Sequence, residues 1–210
     1  DVIAARALAC GAVLVLEPSA DGGALKTGRK GCGTFEVAVH GRAAHAGLEP
    51  EKGVNALVEV AHQVLAIAGL GRPEVGTTVT PTVASVGTTD NVVPADGLIK
   101  VDVRVESADE KHRVETAMSV LRPVDPQATI EVSGSINRPP MSESASDTLW
   151  PLAQQVAPGI QGHAVGGGSD GNFTAALGVP TLDGLGATGD GAHARHEHVD
   201  IASLPDRVAL

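Results

Sequence analysis

Apolar positions along this chain recur with two different periods, and the changeovers mark out its elements. Residues 34–41, TFEVAVHG, alternate apolar with polar, the two-residue period of a strand with one buried face. From Gly53 to about Leu70 the spacing lengthens. Val54, Leu57, Val58, Ala61, Val64 and Leu65 fall at helical intervals and predict a helix that buries that face. TTVTPTVASVG (77–87) and GLIKVDVRVE (97–106) return to strand spacing. Ser107 and Glu110 form a capping box ahead of a helix ending near Leu121 and Pro123, and ATIEVSGSI (128–136) closes the series as a strand. The order β-α-β-β-α-β is the ferredoxin-like arrangement.

The flanks read differently. Residues 1–10 predict a short helix with Gly11 as its C-cap. AVLVLEPS (12–19) is a continuous apolar run ending in a carboxylate, a proline and a serine, the pattern of a buried parallel strand. GRKGCG (28–33) predicts a hinge. After NRPPM (137–141) come a helix over about Ser146–Val156, the glycine-rich AVGGGSDGNF, a short helix stopped by Gly178, and the apolar VPTLDGLG. Such alternation is α/β behaviour. The chain therefore divides into 1–31, 32–136 and 137–210: an α/β domain in two pieces with a ferredoxin-like domain inserted between hinges.

Composition narrows the function. Lys plus Arg total 15 against 25 Asp plus Glu, for a net charge of −10, with one Trp, two Phe and no Tyr. Nucleic-acid binding would need a basic field and stacking platforms, and an anionic membrane would repel this charge. No apolar run approaches the roughly 20 residues of a membrane span. DVIAARALACG lacks the basic start and cleavage pattern of a signal peptide, so a cytoplasmic location is expected. Cys10 and Cys32 have no CxxC spacing and suggest neither a thiolate zinc site nor a disulfide framework.

Several residues could carry chemistry. Glu17 ends an apolar strand, where open α/β sheets place ligands, and Pro18 holds its backbone extended. HARHEH (193–198) offers three histidines and a glutamate, the N and O donors that hydrolytic zinc sites use; it reads equally as a surface cluster. His193 and Glu197 would share a face if helical, but the preceding GDGA suggests a glycine loop. GGGSDGNF (166–173) is a turn running into a helix with Ser169 or Asp170 as N-cap, offering backbone N–H groups to an anion or carbonyl. His45 stands among Ala43, Ala44, Ala46 and Gly47, small neighbours that leave room beside an ionisable ring. Asn91 precedes a proline turn, Arg104 shares a sheet face with Asp102, and Arg138 sits at the second hinge.

Seven segments, LEPS, TGRKG, HGRAAHAGLEPEKGVNAL, DNVVP, VDVRV, GGGSDGNF and GAHARHEHVDI, stand in an order that resembles the dizinc exopeptidase family of glutamate carboxypeptidase, succinyl-diaminopimelate desuccinylase and aminoacylase. The nearest look is to glutamate carboxypeptidases. The resemblance implies an α/β catalytic domain holding two Zn2+, with an inserted ferredoxin-like lid that makes a homodimer. It implies hydrolysis of the amide bond of an N-acyl amino acid or peptide. Glu17 then resembles a ligand of one zinc and His193 a ligand of the other. His45 resembles the lid histidine that enters the partner's site and polarises the scissile carbonyl. Asn91 and Arg104 resemble residues that hold the substrate's carboxylate end, with Arg138 and Gly167 of the GGGSD turn as further contacts.

One departure is large. The family's His-x-Asp pair, bridging Asp and adjacent glutamates come from the half of the catalytic domain ahead of LEPS. Only sixteen residues precede Glu17 here, and they hold no His and no Glu. The chain therefore reads as an internal piece of such an enzyme, with two ligands for different ions and no general base. It is expected to be inactive alone. The alternatives are a non-catalytic dimerisation module built on the lid, or a small-molecule sensor; Glu17 and HARHEH count against the sensor.

Overall fold

The computed structural model describes residues 2–210; Asp1, the first residue of the expected N-terminal helix, lies outside them. The chain forms two compact units, one built from residues up to Gly31 with Arg138–Leu210, the other from Cys32–Asn137.

The long strands of the second unit are β1 (Gly31–His40), β2 (Thr78–Val86), β3 (Asp96–Val105) and β4 (Thr129–Arg138), of which the end residues Gly31 and Arg138 count with the first unit, and its α-helices are α1 (Ala56–Ala68) and α2 (Ala108–Ser119). The expected ferredoxin-like order is present. The four strands form one sheet in the order β2-β3-β1-β4. β2 and β3 pair antiparallel from Thr78 opposite Arg104 to Val86 opposite Gly97, with a slip after Pro81. Alternation in β1 buries Phe35, Val37 and Val39, which join Ile99, Val101, Val103 and Val105 of β3 and Ile136 of β4 in the core. Ala56, Val60 and Ile67 of α1, with Val114 and Met118 of α2, complete it. β1 and β4 approach closely at two glycines. A Cβ on Gly33 would stand 2.2 Å from the Ser135 carbonyl oxygen, and one on Gly134, at φ +102, 2.2 Å from that of Thr34.

The helix ends follow their caps. Asn55 Oδ1 accepts from Leu57 N–H at 3.0 Å and Val58 N–H at 3.3 Å, starting α1. Ser107 Oγ accepts from Glu110 N–H at 3.2 Å, but the Glu110 carboxylate turns to Arg113 rather than completing the capping box. The buried face of α1 corrects the periodicity reading. Ala56, Glu59, Val60, Gln63 and Ile67 are buried, while Leu57, Val58 and Leu65 are exposed. Glu59 is tolerated inside because its carboxylate accepts from Val124 and Asp125 N–H and from Gln63 Nε2.

The first unit uses short pieces. Val13–Leu14 pairs parallel with Thr181–Leu182, Leu25–Arg29 parallel with Gly162–Val165, and Gly189–Asp190 antiparallel with His198–Val199. Leu25, Leu149, Ala153 and Leu182 form its core. The 12–19 run is parallel as expected but not buried: Leu14 and Leu16 are exposed, because Thr181–Leu182 is its one strand neighbour among the described residues. The N-terminal helix spans Val2–Leu8, and Gly11 is not left-handed, so the expected glycine C-cap is not made. The 146–156 helix is split into a 3-10 turn, Glu143–Ser146, and a helix, Trp150–Val156, with Pro151 in its first turn. Within GRKGCG, Leu25–Arg29 and Gly31–His40 are strands separated by Lys30 alone, and the boundary between the two units falls after Gly31. Among the described residues no helix is long and apolar enough to cross a membrane.

Candidate functional site

His45 is exposed on a loop closed at its base by Arg42. The backbones of Arg42 and Val54 exchange two hydrogen bonds of 2.9 Å, and the Arg42 guanidinium donates to Lys52 O at 2.7 Å and Gln127 Oε1 at 3.0 Å. Within the loop, Ala44–His45 pairs antiparallel with Val92–Val93, and Ala46 N–H donates to Asn91 O at 2.9 Å. His45 and Asn91 are thus brought side by side. Gly47 N–H donates to His45 Nδ1 at 3.1 Å. In the neutral ring this leaves the proton on Nε2, as an outward donor. A groove of about 560 Å³ lies along the same ladder, lined by Ala46, Asn55, Asp90 and Val92 among others.

Arg104 shares a face with Asp102, as the alternation predicted. Its Nε and Nη2 each donate to the Asp102 carboxylate at 3.0 Å. That bond holds the guanidinium pKa above its ordinary value. Arg104 is not near Asn91. It pairs with Thr78 at one end of the β2–β3 ladder, whereas Asn91 lies in the connection beyond Gly97 at the other. Seven residues of strand at 3.3 Å each make about 23 Å.

In the first unit, Glu17 is exposed in a bend beyond the strand Val13–Leu14 rather than at its end, and Gly186 N–H donates to its carbonyl at 2.9 Å. Gly186 lies so close that a Cβ there would sit 2.5 Å from Leu16 O. The glycine-rich turn rests on a buried network that sequence reasoning missed. Arg29 Nε and Nη2 donate to Asp183 Oδ2 and Oδ1 at 2.7 and 2.9 Å, and Nη1 donates to Gly167 O at 2.8 Å. Arg29 is 5% exposed and Asp183 0%. Ser169 Oγ also donates to Asp183 and accepts from Gly171 N–H at 3.1 Å, so Ser169 is the N-cap. Asp170 caps nothing and pairs with Arg138 at 3.6 Å, while the Arg138 guanidinium lies 5.3 Å over the Phe173 ring. Burial, with Arg29 nearby, lowers the pKa of Lys26.

His193 lies in the tip of the hairpin made by Gly189–Asp190 and His198–Val199, with left-handed φ of 64. The helical alternative for HARHEH is therefore excluded. The glycine loop instead turns His193 N–H toward Glu197 Oε2, at 3.2 Å.

Comparison with known proteins adds the family. Residues 27–122 match the peptidase dimerisation domain of M20 peptidases. Residues 27–122 belong to that domain family. Beyond the dimerisation domain, the chain is 30% identical over 225 residues to Carboxypeptidase G2 of Pseudomonas sp. (strain RS-16), covering 100% of this chain and 53% of that protein. It is 28% identical over 178 residues to the uncharacterized protein YqjE of Bacillus subtilis (strain 168), covering 80% and 47%. Among solved structures, aminopeptidase PepT from Bacillus cereus superposes with a TM-score of 0.74 at 24% identity, over 98% of this chain and 58% of that one, a likeness of fold. An aminobenzoyl-glutamate utilization protein from Klebsiella pneumoniae gives 0.53 at 26% identity, over 80% and 47%. The resemblance to dizinc exopeptidases is borne out, and the chain spans about half the length of the curated relatives it matches.

The dimerisation domain carries His45, Asn91 and Arg104; the other unit carries Glu17, Gly167, Arg138 and His193. Among the described residues no group of three or more His, Cys, Asp or Glu is arranged to hold a metal ion. Zinc sites take three or four protein ligands, so Glu17 and His193 do not make a metal centre by themselves.

Proposed function

We propose that these residues are part of a glutamate carboxypeptidase-like metallopeptidase that hydrolyses the amide bond of an N-acyl amino acid or peptide. The observation that carries this reading is His45: exposed, with Nδ1 held by Gly47 N–H, on a domain matched as a peptidase dimerisation domain. Its Nε2–H is a donor suited to a carbonyl oxygen on which negative charge builds. Similarity to Carboxypeptidase G2 along this whole chain, over 53% of that protein, supports the reaction class.

The enzyme acts as a homodimer through the lid, each His45 serving the partner's site. The β2 edge of the sheet and the exposed Leu57, Val58 and Leu65 of α1 are surface that a second copy would cover. Asn91 stands beside His45 and contacts the same substrate; Arg104, at the far end of the hairpin, serves a different position. Arg138 and Gly167 are further substrate contacts. Two Zn2+ are the cofactors. Glu17 and His193 are ligands to different ions, and the remaining ligands and the general base come from outside these 210 residues.

The test is hydrolysis of N-acyl-glutamate by the full-length protein, with and without chelator, beside the 210-residue polypeptide. Chelator-sensitive release by the full-length protein and none by the shorter chain is the expected result. Release by the shorter chain would overturn the division of ligands. No release by either, with a stable dimer of the lid, would favour a non-catalytic dimerisation module.

A further inference from the structure

Asn172, in the short helix Gly171–Ala176 that follows the glycine-rich turn, is fully buried at 0% exposure. Its amide is engaged at both ends. Nδ2 donates to Pro139 O at 2.8 Å and to Lys30 O at 3.1 Å, and Oδ1 accepts from Ser169 N–H at 2.8 Å. These partners fix which way the amide faces, because reversed its oxygen would meet two carbonyl oxygens.

Lys30 and Pro139 belong to the two segments of the first unit that end at its boundaries, after Gly31 and before Arg138. The segments run side by side. Arg29 and Met141 exchange backbone hydrogen bonds of 2.9 Å, and a Cβ on Gly31 would stand 2.7 Å from Pro140 N. Asn172 ties both segments to the glycine-rich turn, which Arg29 grips a second time at Gly167 O. Phe173, the next residue, holds the Arg138 side chain, its ring 5.3 Å from the guanidinium. The ion pair of Arg138 with Asp170 is long, at 3.6 Å, and the Asp170 side chain is 67% exposed, so it does little to orient the guanidinium.

We propose that Asn172 and Phe173 are positioning residues that hold Arg138 and Gly167 in register on one substrate. Asn172 acts through the backbones of Pro139 and Ser169, each one or two residues from a contact, and Phe173 acts through the guanidinium face. The inference rests on the reading of Arg138 and Gly167 as substrate contacts and names what holds them in place. Contacts fixed before the substrate arrives spare it the cost of ordering them.

The test uses the full-length protein and N-acetyl-glutamate, with kcat and KM measured separately. Asn172→Asp keeps the size and the acceptor but loses both donors. It is expected to raise KM about tenfold, with kcat within about threefold of wild type. Phe173→Leu is expected to raise KM about threefold, and to add nothing further in the Arg138→Ala background. A purely structural role would lower the melting temperature and the amount of active enzyme while KM stays at the wild-type value. That result overturns the proposal, as do additive effects of Phe173→Leu and Arg138→Ala. If Asn172→Asp does not fold, Phe173→Leu decides alone. Cleavage with KM unmoved by Arg138→Ala would remove Arg138 from the contacts and the register with it, while the hydrolase reading stands. Where no amide is cleaved, calorimetry with glutamate separates the two readings. A Kd raised in both variants supports the register, and an equal Kd, or no binding by wild type, refutes it.

Discussion

Gly47 N–H donates to His45 Nδ1 at 3.1 Å, so a residue without a side chain decides which nitrogen of its neighbour faces outward with a proton. The loop carrying both is closed by Arg42 and stitched to Val92–Val93. A flexible loop would present either nitrogen.

The first prediction tests this arrangement. In the full-length protein, His45→Ala should reduce turnover about 10²- to 10³-fold, the usual cost of one oxyanion donor, with zinc content unchanged. Kinetics and elemental analysis of the same preparation check it. Turnover near wild type would remove His45 from the site.

The Arg29–Asp183 pair supports the glycine-rich turn from below. Asp183→Ala leaves a buried guanidinium without its carboxylate and should cost about 3–5 kcal/mol, read by urea denaturation. A loss below about 1 kcal/mol would mean that water enters and replaces the carboxylate.

Gly33 tests the β1–β4 contact. Gly33→Ala places a methyl group 2.2 Å from backbone oxygen, which no rotamer change relieves. The variant is expected to be insoluble or to lose cooperative unfolding, whereas Gly11→Ala, where a Cβ meets nothing within 4 Å, should behave as wild type.

Glu110 gives a pH dependence. Arg113 holds its carboxylate at 2.7 and 2.6 Å, and with Arg72 lowers its pKa from an ordinary 4.5 to about 2. A carboxylate depressed on folding stabilises fully above its unfolded value and loses that contribution as pH falls toward the folded one. Stability of the wild type should therefore drop between pH 4.5 and 2 more steeply than that of Glu110→Gln, which should already be weaker at pH 7 by about 1–3 kcal/mol. Parallel pH profiles of the melting temperature would refute the link.

What the sequence determined by itself was local. The two-residue period of TFEVAVHG, the Asn55 and Ser107 caps and the Gly178 stop place β1, both lid helices and the short helix after GGGSD to within a few residues, because periodicity and capping are decided by near neighbours. The rest depended on partners far along the chain. Apolar spacing on α1 was dense enough for two faces, and the sheet chose Ala56, Val60 and Ile67 over Leu57, Val58 and Leu65. Arg29 meets Asp183 across 154 residues, and Lys26 meets His163 through a strand register that composition does not encode. His45 and Asn91 come together, and Arg104 is held at the far end of its hairpin, through ladder hydrogen bonds made only once the sheet closes. Those bonds are set by backbone geometry across the whole domain, which is why only the tertiary structure could assign them.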